Sequence, residues 1–194
     1  MPIAINGSGT VTGISVGGLP DGIVDTDMIA AAAVTAAKRG PGAILQVVQT
    51  FKSDVTSFTS NSSTTYADIS GMSVTITPTS SSNKILVSFV ACVSTNSSDR
   101  NNSIKLLRDS TDICKSTAGS SLNATIIDKT FSDKYIMNFT QTFLDSPSTT
   151  SATTYKLQWA CEGSGGNKTY FLNRKGQGSN EGATSTITVM EVAA

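Results

Sequence analysis

Asp109-Ser-Thr-Asp112 comes nearest to a metal-binding sequence in this chain. Two carboxylates at that spacing, between short β-runs, can contribute oxygens to a calcium ion if further ligands come from elsewhere. The same segment also makes a hairpin turn in which an Asp side chain accepts from the backbone, with no other residue required. Asp21, Asp25 and Asp27 form a second acidic group, placed where turn and helix-start chemistry would use it. The chain contains no histidine, which removes His-based triads, imidazole general bases and HExxH zinc sites. Glycoside cleavage needs two facing carboxylates. Asp128, Asp133, Asp145, Glu162, Glu181 and Glu191 are scattered and mostly flank turns, so no pair can be nominated. Cys92, Cys114 and Cys161 form no CxxC pair; they read as small buried thiols, with a Cys92–Cys161 bridge between neighbouring strands as the alternative. Gly7-Ser-Gly9 and Gly163-Ser-Gly-Gly166 lack the spacing of a phosphate-binding loop and read as turns. The expectation is a protein that is not an enzyme and uses no cofactor and no metal.

Recognition has more to work with than catalysis. Asn173-Arg-Lys-Gly-Gln-Gly-Ser-Asn-Glu181 follows the aromatic pair Tyr170-Phe171 and carries amides and two cations, with Asn173, Arg174, Lys175, Gln177 and Asn180 as candidate contacts. Asn96-Ser-Ser-Asp-Arg-Asn-Asn102 is a second loop of this kind, offering Asn96, Asp99 and Arg100. The plainer reading of both is an ordinary solvated hairpin loop. Trp159 has the shape of a sugar-stacking platform, but its alternation with Tyr155 and Leu157 places it in a core. The chain balances 14 basic against 14 acidic residues, and without a Lys/Arg cluster it lacks the attraction to phosphates that general nucleic-acid binding uses. Charged residues are 14% of the chain, well below the ~25% usual in soluble domains. Ser (28) and Thr (27) exceed a quarter of it, so hydroxyls and amides must wet the surface. The start, Met1 to Asn6, lacks the basic stretch of a secretory signal. The longest uninterrupted apolar run, Met28 to Val34, is far short of the ~20 residues that span a bilayer, so no membrane insertion is expected.

The elements that must hold those loops are strands. From Ala43 onward the candidates are Ile44–Phe51, Tyr66–Ile69, Met72–Thr77, Ile85–Val93, Ile104–Arg108, Thr125–Phe131, Tyr135–Leu144, Tyr155–Cys161, Thr169–Leu172 and Thr184–Val192. Turn-rich separators such as Thr59–Thr64, Pro78–Asn83 and Asp145–Ser148 divide them. Strands at this spacing, without intervening helices, predict an antiparallel β-sandwich or jelly roll. Tyr135, Met137, Phe139 and Phe143 make one expected inward row, broken by Gln141. Ile85 to Val93 is apolar on both faces apart from Ser88, which predicts a central strand covered on both sides, the second cover available from a neighbouring subunit.

Composition shifts near residue 42. Before it, glycines recur among single aliphatics, including Val11, Ile14, Val16 and Leu19, too little side-chain volume for a core. Residues 1–24 would reach ~80 Å if extended, at ~3.3 Å per residue, and either gain order from sister chains or stay a loose leader. A short helix is predicted from Met28 through Ala37, capped by Asp25 or Thr26 and stopped by Gly40-Pro41. Ile29, Ala32, Ala33 and Ala36 share a face, and Met28 precedes it. Small residues there suit close approach of two or three copies, or packing on the chain's own head. The division is therefore an anchoring and trimerisation segment, residues 1–42, and a head, residues 43–194.

Ile5-Asn-Gly-Ser-Gly-Thr-Val-Thr-Gly-Ile-Ser-Val-Gly-Gly-Leu-Pro-Asp-Gly-Ile-Val-Asp25, then Asp27 to Lys38, resembles N-terminal segments of tail-fibre-like structural proteins of marine bacteriophages. Gly42–Thr50, Ser73–Pro78, Asn83–Val87, Leu107-Arg-Asp109, Phe143–Tyr155 and Ser185–Glu191 extend the resemblance over nearly the whole chain. It implies a homotrimeric virion appendage, assembled in the host cytoplasm. Its N-terminal part would hold to other virion proteins, and its C-terminal β head would face a host cell-surface glycan or protein. The alternative is a capsid-decorating or other structural virion protein without receptor contact. The resemblance implies no catalytic residues.

Overall fold

The computed structural model describes residues 4–5, 11–12, 34, 38–60, 65–97, 100–119, 123–130, 135–161, 166–177 and 181–194. Two compact units are present, Met1–Arg39 and Gly40–Ala194. In the first, β1 (Ala4–Ile5) pairs antiparallel with β2 (Val11–Thr12), with Ile5 opposite Val11. The other proposed anchoring positions, Ile14, Val16, Leu19, Met28, Ile29, Ala33 and Ala36, lie outside the described residues, as does the predicted helix apart from Val34.

The second unit is a sandwich of two antiparallel sheets. Nine of its eleven described strands descend from the apolar, alternating segments of the sequence; the short Thr56–Ser60 and Thr111–Ile113 carry no such signal. The first sheet is built on β6 (Lys84–Thr95). One edge of β6 pairs with β13 (Ser185–Val192) and, further along, with β12 (Lys168–Leu172); the other pairs with β10 (Met137–Asp145). Outside β13 and β12 lie β3 (Ile44–Lys52) and β4 (Thr56–Ser60). The sheet thus has six strands and is four wide through β3, β13, β6 and β10, while β12 and β4 extend it past the end of β10 at Met137. The second sheet orders β5 (Ala67–Ile76), β11 (Thr153–Cys161), β7 (Arg100–Arg108) and β8 (Thr111–Ile113), with β9 (Ile126–Thr130) also on β7.

The core lies between them. Alternation delivers Ile85, Val87, Phe89, Ala91 and Val93 from β6, Tyr155, Leu157 and Trp159 from β11, and Ile187 and Val189 from β13. Trp159 is 3% exposed and stacks on Phe58, ring centroids 5.9 Å apart, which settles it as core and not as a sugar platform.

Several expectations are corrected. Tyr66–Ile69 and Met72–Thr77 are one strand, β5, bent at Gly71, where φ is +80° and the pairing with β11 shifts register. The positive φ favours glycine there, and a Cβ at Gly71 would press on the Lys52 side chain, 3.0 Å from its ammonium. Thr59–Thr64, read as a separator, begins inside β4. Tyr135 is 67% exposed, outside the inward row that Phe139 leads. Leu86, Ser88 and Val90 of β6 are half-buried, so the outer face of this sheet is only partly covered. Cys92 is a free thiol, which removes the bridge to Cys161.

Candidate functional site

Asn96 and Arg174, one from each recognition loop of the sequence, both lie against β12 on the outer face of the first sheet. Asn96 continues the β6–β12 ladder, its N–H donating to Thr169 O and its side-chain Oδ1 accepting from Thr169 N, both at 3.0 Å. The Thr169 hydroxyl shares a 3.0 Å hydrogen bond with that of Thr59 on β4. Two residues along β12, on the same face, lies Phe171, and the Arg174 guanidinium sits 4.3 Å above its ring centroid. Non-local strand pairing therefore assembles a patch from Thr59, Thr169, Asn96, Phe171 and Arg174. It offers hydroxyls, an amide and a cation held against an aromatic face.

The excursion after β12 is positioned by Asn173. Its φ is +64°. Its Nδ2 donates to Lys52 O and Asp54 O, and its Oδ1 accepts from the Ser185 hydroxyl at 2.6 Å. Asn173 is 1% exposed, so it fixes the excursion and does not reach a ligand, a correction to its reading as an exposed contact. The backbone then returns over β6. Ser94 Oγ donates to Arg174 O, and the single Cys92 S–H has two acceptors within reach, Thr184 O at 3.1 Å and Asn138 Oδ1 at 3.2 Å. Burial pushes the Cys92 thiol upward from its ordinary pKa, outweighing the Ser185 contact. Lys175 pairs with Glu181 at 2.6 Å, closing the base of the loop. Gln177 is exposed beyond it. Asp99 and Asn180 lie outside the described residues, and Arg100 is described only as the first residue of β7.

Several charged side chains elsewhere are committed to partners. Asp109 adopts φ +53° at the β7–β8 hairpin and accepts from Thr154 N at 2.9 Å. Asp112 pairs with Lys105 at 2.7 Å. The hairpin reading of 109–112 is thus the observed one, and the described residues contain no group of three potential metal ligands. Asp145 holds Arg108 Nη1 through both oxygens and accepts from the Tyr155 hydroxyl at 2.7 Å. Burial first, then that hydrogen bond, pushes the Tyr155 phenol strongly upward. Glu191 is fully buried, and its hydrogen-bond partners among the described residues are all uncharged. Its Oε1 accepts from Thr79 N, the Thr79 hydroxyl and Asn83 Nδ2, its Oε2 from Gln46 Nε2. Burial raises its pKa, but these donors outweigh it and leave the carboxyl below its ordinary range.

A different chemistry occupies the other half of the same face. Register aligns Val47, Met190, Leu86 and Leu144 in one row across four strands. Val47 is 55% and Leu144 47% exposed. Among the described residues no helix is long and apolar enough to cross a membrane.

No protein-family model and no curated protein matches this chain. Solved structures of infectious bursal disease virus are similar at low levels. For the Gx strain, identity is 15%, TM-score 0.37, and the match covers 76% of this chain and 40% of the other. For the T13 particle, identity is 16%, TM-score 0.39, and coverage is 77% and 36%. For the VP2 subviral particle, identity is 17%, TM-score 0.34, and coverage is 77% and 37%. Likeness of that size carries no argument about function.

Proposed function

We propose that this chain is a non-enzymatic structural protein of a phage virion, a homotrimeric tail fibre or spike. In this reading residues 1–42 hold it to the particle, and its jelly-roll head, residues 43–194, touches a surface glycan or protein of the host. The observation that carries the receptor reading is the meeting of Asn96, Thr169, Phe171 and Arg174 on one sheet face. Amide, hydroxyl and aromatic groups so arranged suit polyhydroxylated ligands, which offer many hydrogen bonds and an apolar ring face. Binding at one head is weak and is multiplied by identical copies.

Adsorption of the purified full chain to a panel of bacterial cells tests it. Saturable binding to some strain, reduced tenfold or more in Asn96→Ala/Arg174→Ala, is expected, with a solution mass three times 20.1 kDa. A monomer that binds no cell would overturn the proposal. The apolar row Val47–Met190–Leu86–Leu144 favours a second reading, a capsid-decorating or other virion component whose head packs on protein. Incorporation into particles without any saturable cell binding would favour that reading over the first.

A further inference from the structure

The sandwich has four lateral edges, and three are protected. The β3/β4 edge is broken at residues 53–55. Its side chains also bond the backbone of β5, from Gln46 to Thr77 O at 2.8 Å, Thr50 to Ser73 O at 2.7 Å and Thr56 to Ser70 O at 3.4 Å. That closes one side of the molecule and covers β5, the facing edge of the second sheet. On the other side, β8 has three residues and carries Asp112 between Lys105 and Lys115. β9 has five residues, including Asp128 and Lys129. Short strands and charges of this kind discourage edge-to-edge pairing.

The fourth edge, β10, has none of these devices. It runs nine residues, pairs with β6 in unbroken register, and has no strand on its other side among the described residues. From Met137 to Leu144 it contains no charge and no proline. Asp145, at its end, is taken up by Arg108 and Tyr155. Such an edge presents unpaired backbone donors and acceptors to a further strand.

The sequence of this edge says which strand fits. Phe139-Thr-Gln-Thr-Phe143 reads identically in both directions about Gln141. An antiparallel two-fold contact centred there sets Thr140 opposite Thr142 of the other copy, Phe139 opposite Phe143, and Gln141 opposite itself. Thr–Thr and aromatic pairs are among the favourable cross-strand pairs, and the contact brings no like charges together. We infer that a second copy of this chain docks through β10, joining two six-stranded sheets into one that is eight strands wide through β3, β13, β6 and β10 of each copy. Phe139 and the partly buried Met137 and Phe143 remain on the core side. Asn138, Thr140, Thr142 and Leu144 stay on the outer face.

This inference goes beyond the proposed function and does not depend on how many chains residues 1–42 join. A trimeric appendage paired in this way contains six chains, and a chain without a trimeric stem contains two. The test uses the full chain and two variants at exposed positions. Thr140→Lys/Thr142→Lys places like charges opposite each other twice and should abolish the even-numbered species. Thr140→Lys/Thr142→Glu places opposite charges there and should retain it. Solution mass across a dilution series is the readout. Three or one chains at the highest concentration, or an even species indifferent to the double lysine variant, overturns the inference. Loss of pairing in the Lys/Glu variant as complete as in the Lys/Lys variant overturns the register and the inference with it. Two chains that respond as expected would retain the edge contact and refute the trimer.

Discussion

Replacing Glu191 by Gln changes little in shape and removes one charge from a fully buried site. Three donors converge on Oε1, Thr79 N at 2.6 Å, the Thr79 hydroxyl at 2.8 Å and Asn83 Nδ2 at 2.6 Å, and Gln46 Nε2 meets Oε2 at 2.7 Å. Together they fasten β13 to the β5–β6 turn and to β3. A hydrogen bond to a charged group contributes about 1.5–3 kcal/mol. The amide keeps one good acceptor but turns an N–H₂ toward a neighbouring donor, so a loss of about 2–3 kcal/mol is expected for the set, less than a sum of four. For a domain of this size that lowers the thermal midpoint by roughly 4–12 °C. The pH dependence carries the sharper signature. The folded-state carboxyl titrates below its ordinary range, so its contribution is complete above the unfolded glutamate pKa of about 4.3 and disappears as pH falls through the depressed folded value. Denaturant titrations of both proteins should show a constant gap from pH 8 to about 5 that closes in acid. A gap under about 0.5 kcal/mol at pH 7, or one that widens in acid, would refute this account of how the buried charge is held.

Two further outcomes follow from the loop base. Asn173→Ala loses the side-chain bonds to Lys52 O, Asp54 O and Ser185 and places a Cβ at φ +64°. It should cost about 3 kcal/mol, and Asn173→Gly about 1 kcal/mol less because glycine accepts that φ; denaturant unfolding that ranks Ala above Gly contradicts the assignment. Cys92, buried with two oxygen acceptors within reach of its S–H, should alkylate more slowly in the native protein than half-buried Cys114. Mass mapping of the modified peptides gives the order, and a faster Cys92 would contradict its placement.

The strands were legible wherever one face is apolar, because alternation is a local property. Tyr155, Leu157 and Trp159 announce their burial in three alternate letters, and β6 and β13 do the same. Interruptions were not legible. Nothing local says that residues 67–76 are one strand where two are expected, since the irregularity at Gly71 is a register shift against β11, a strand distant in sequence. Tyr135 has the right phase for the inward row but precedes the first paired residue of β10, so the sheet does not carry it inward. The candidate site divides in the same way. Arg174 and Asn96 could be named from composition. Their meeting depends on Thr169 bonding Asn96, a contact 73 residues apart. Asn173 looked like its neighbours because residue type does not reveal that an amide is turned inward to serve two carbonyls and a hydroxyl.

The polar patch, the apolar row and the bare edge all belong to the first sheet, and their geometry makes them compatible. An antiparallel contact through β10 has its two-fold axis normal to the sheet, because residues paired across the axis lie on the same face. The outer faces of the two copies then look in one direction. The two Asn96–Arg174 patches would be presented together on one continuous sheet surface, and the exposed Leu144 of each copy would border the seam. Contact through the edge leaves the face free, whereas contact through the face would cover the patch. Pairing by the edge therefore leaves the patch of each copy open and turns the two patches of one pair the same way, which on the proposed receptor reading is where weak sites gain avidity.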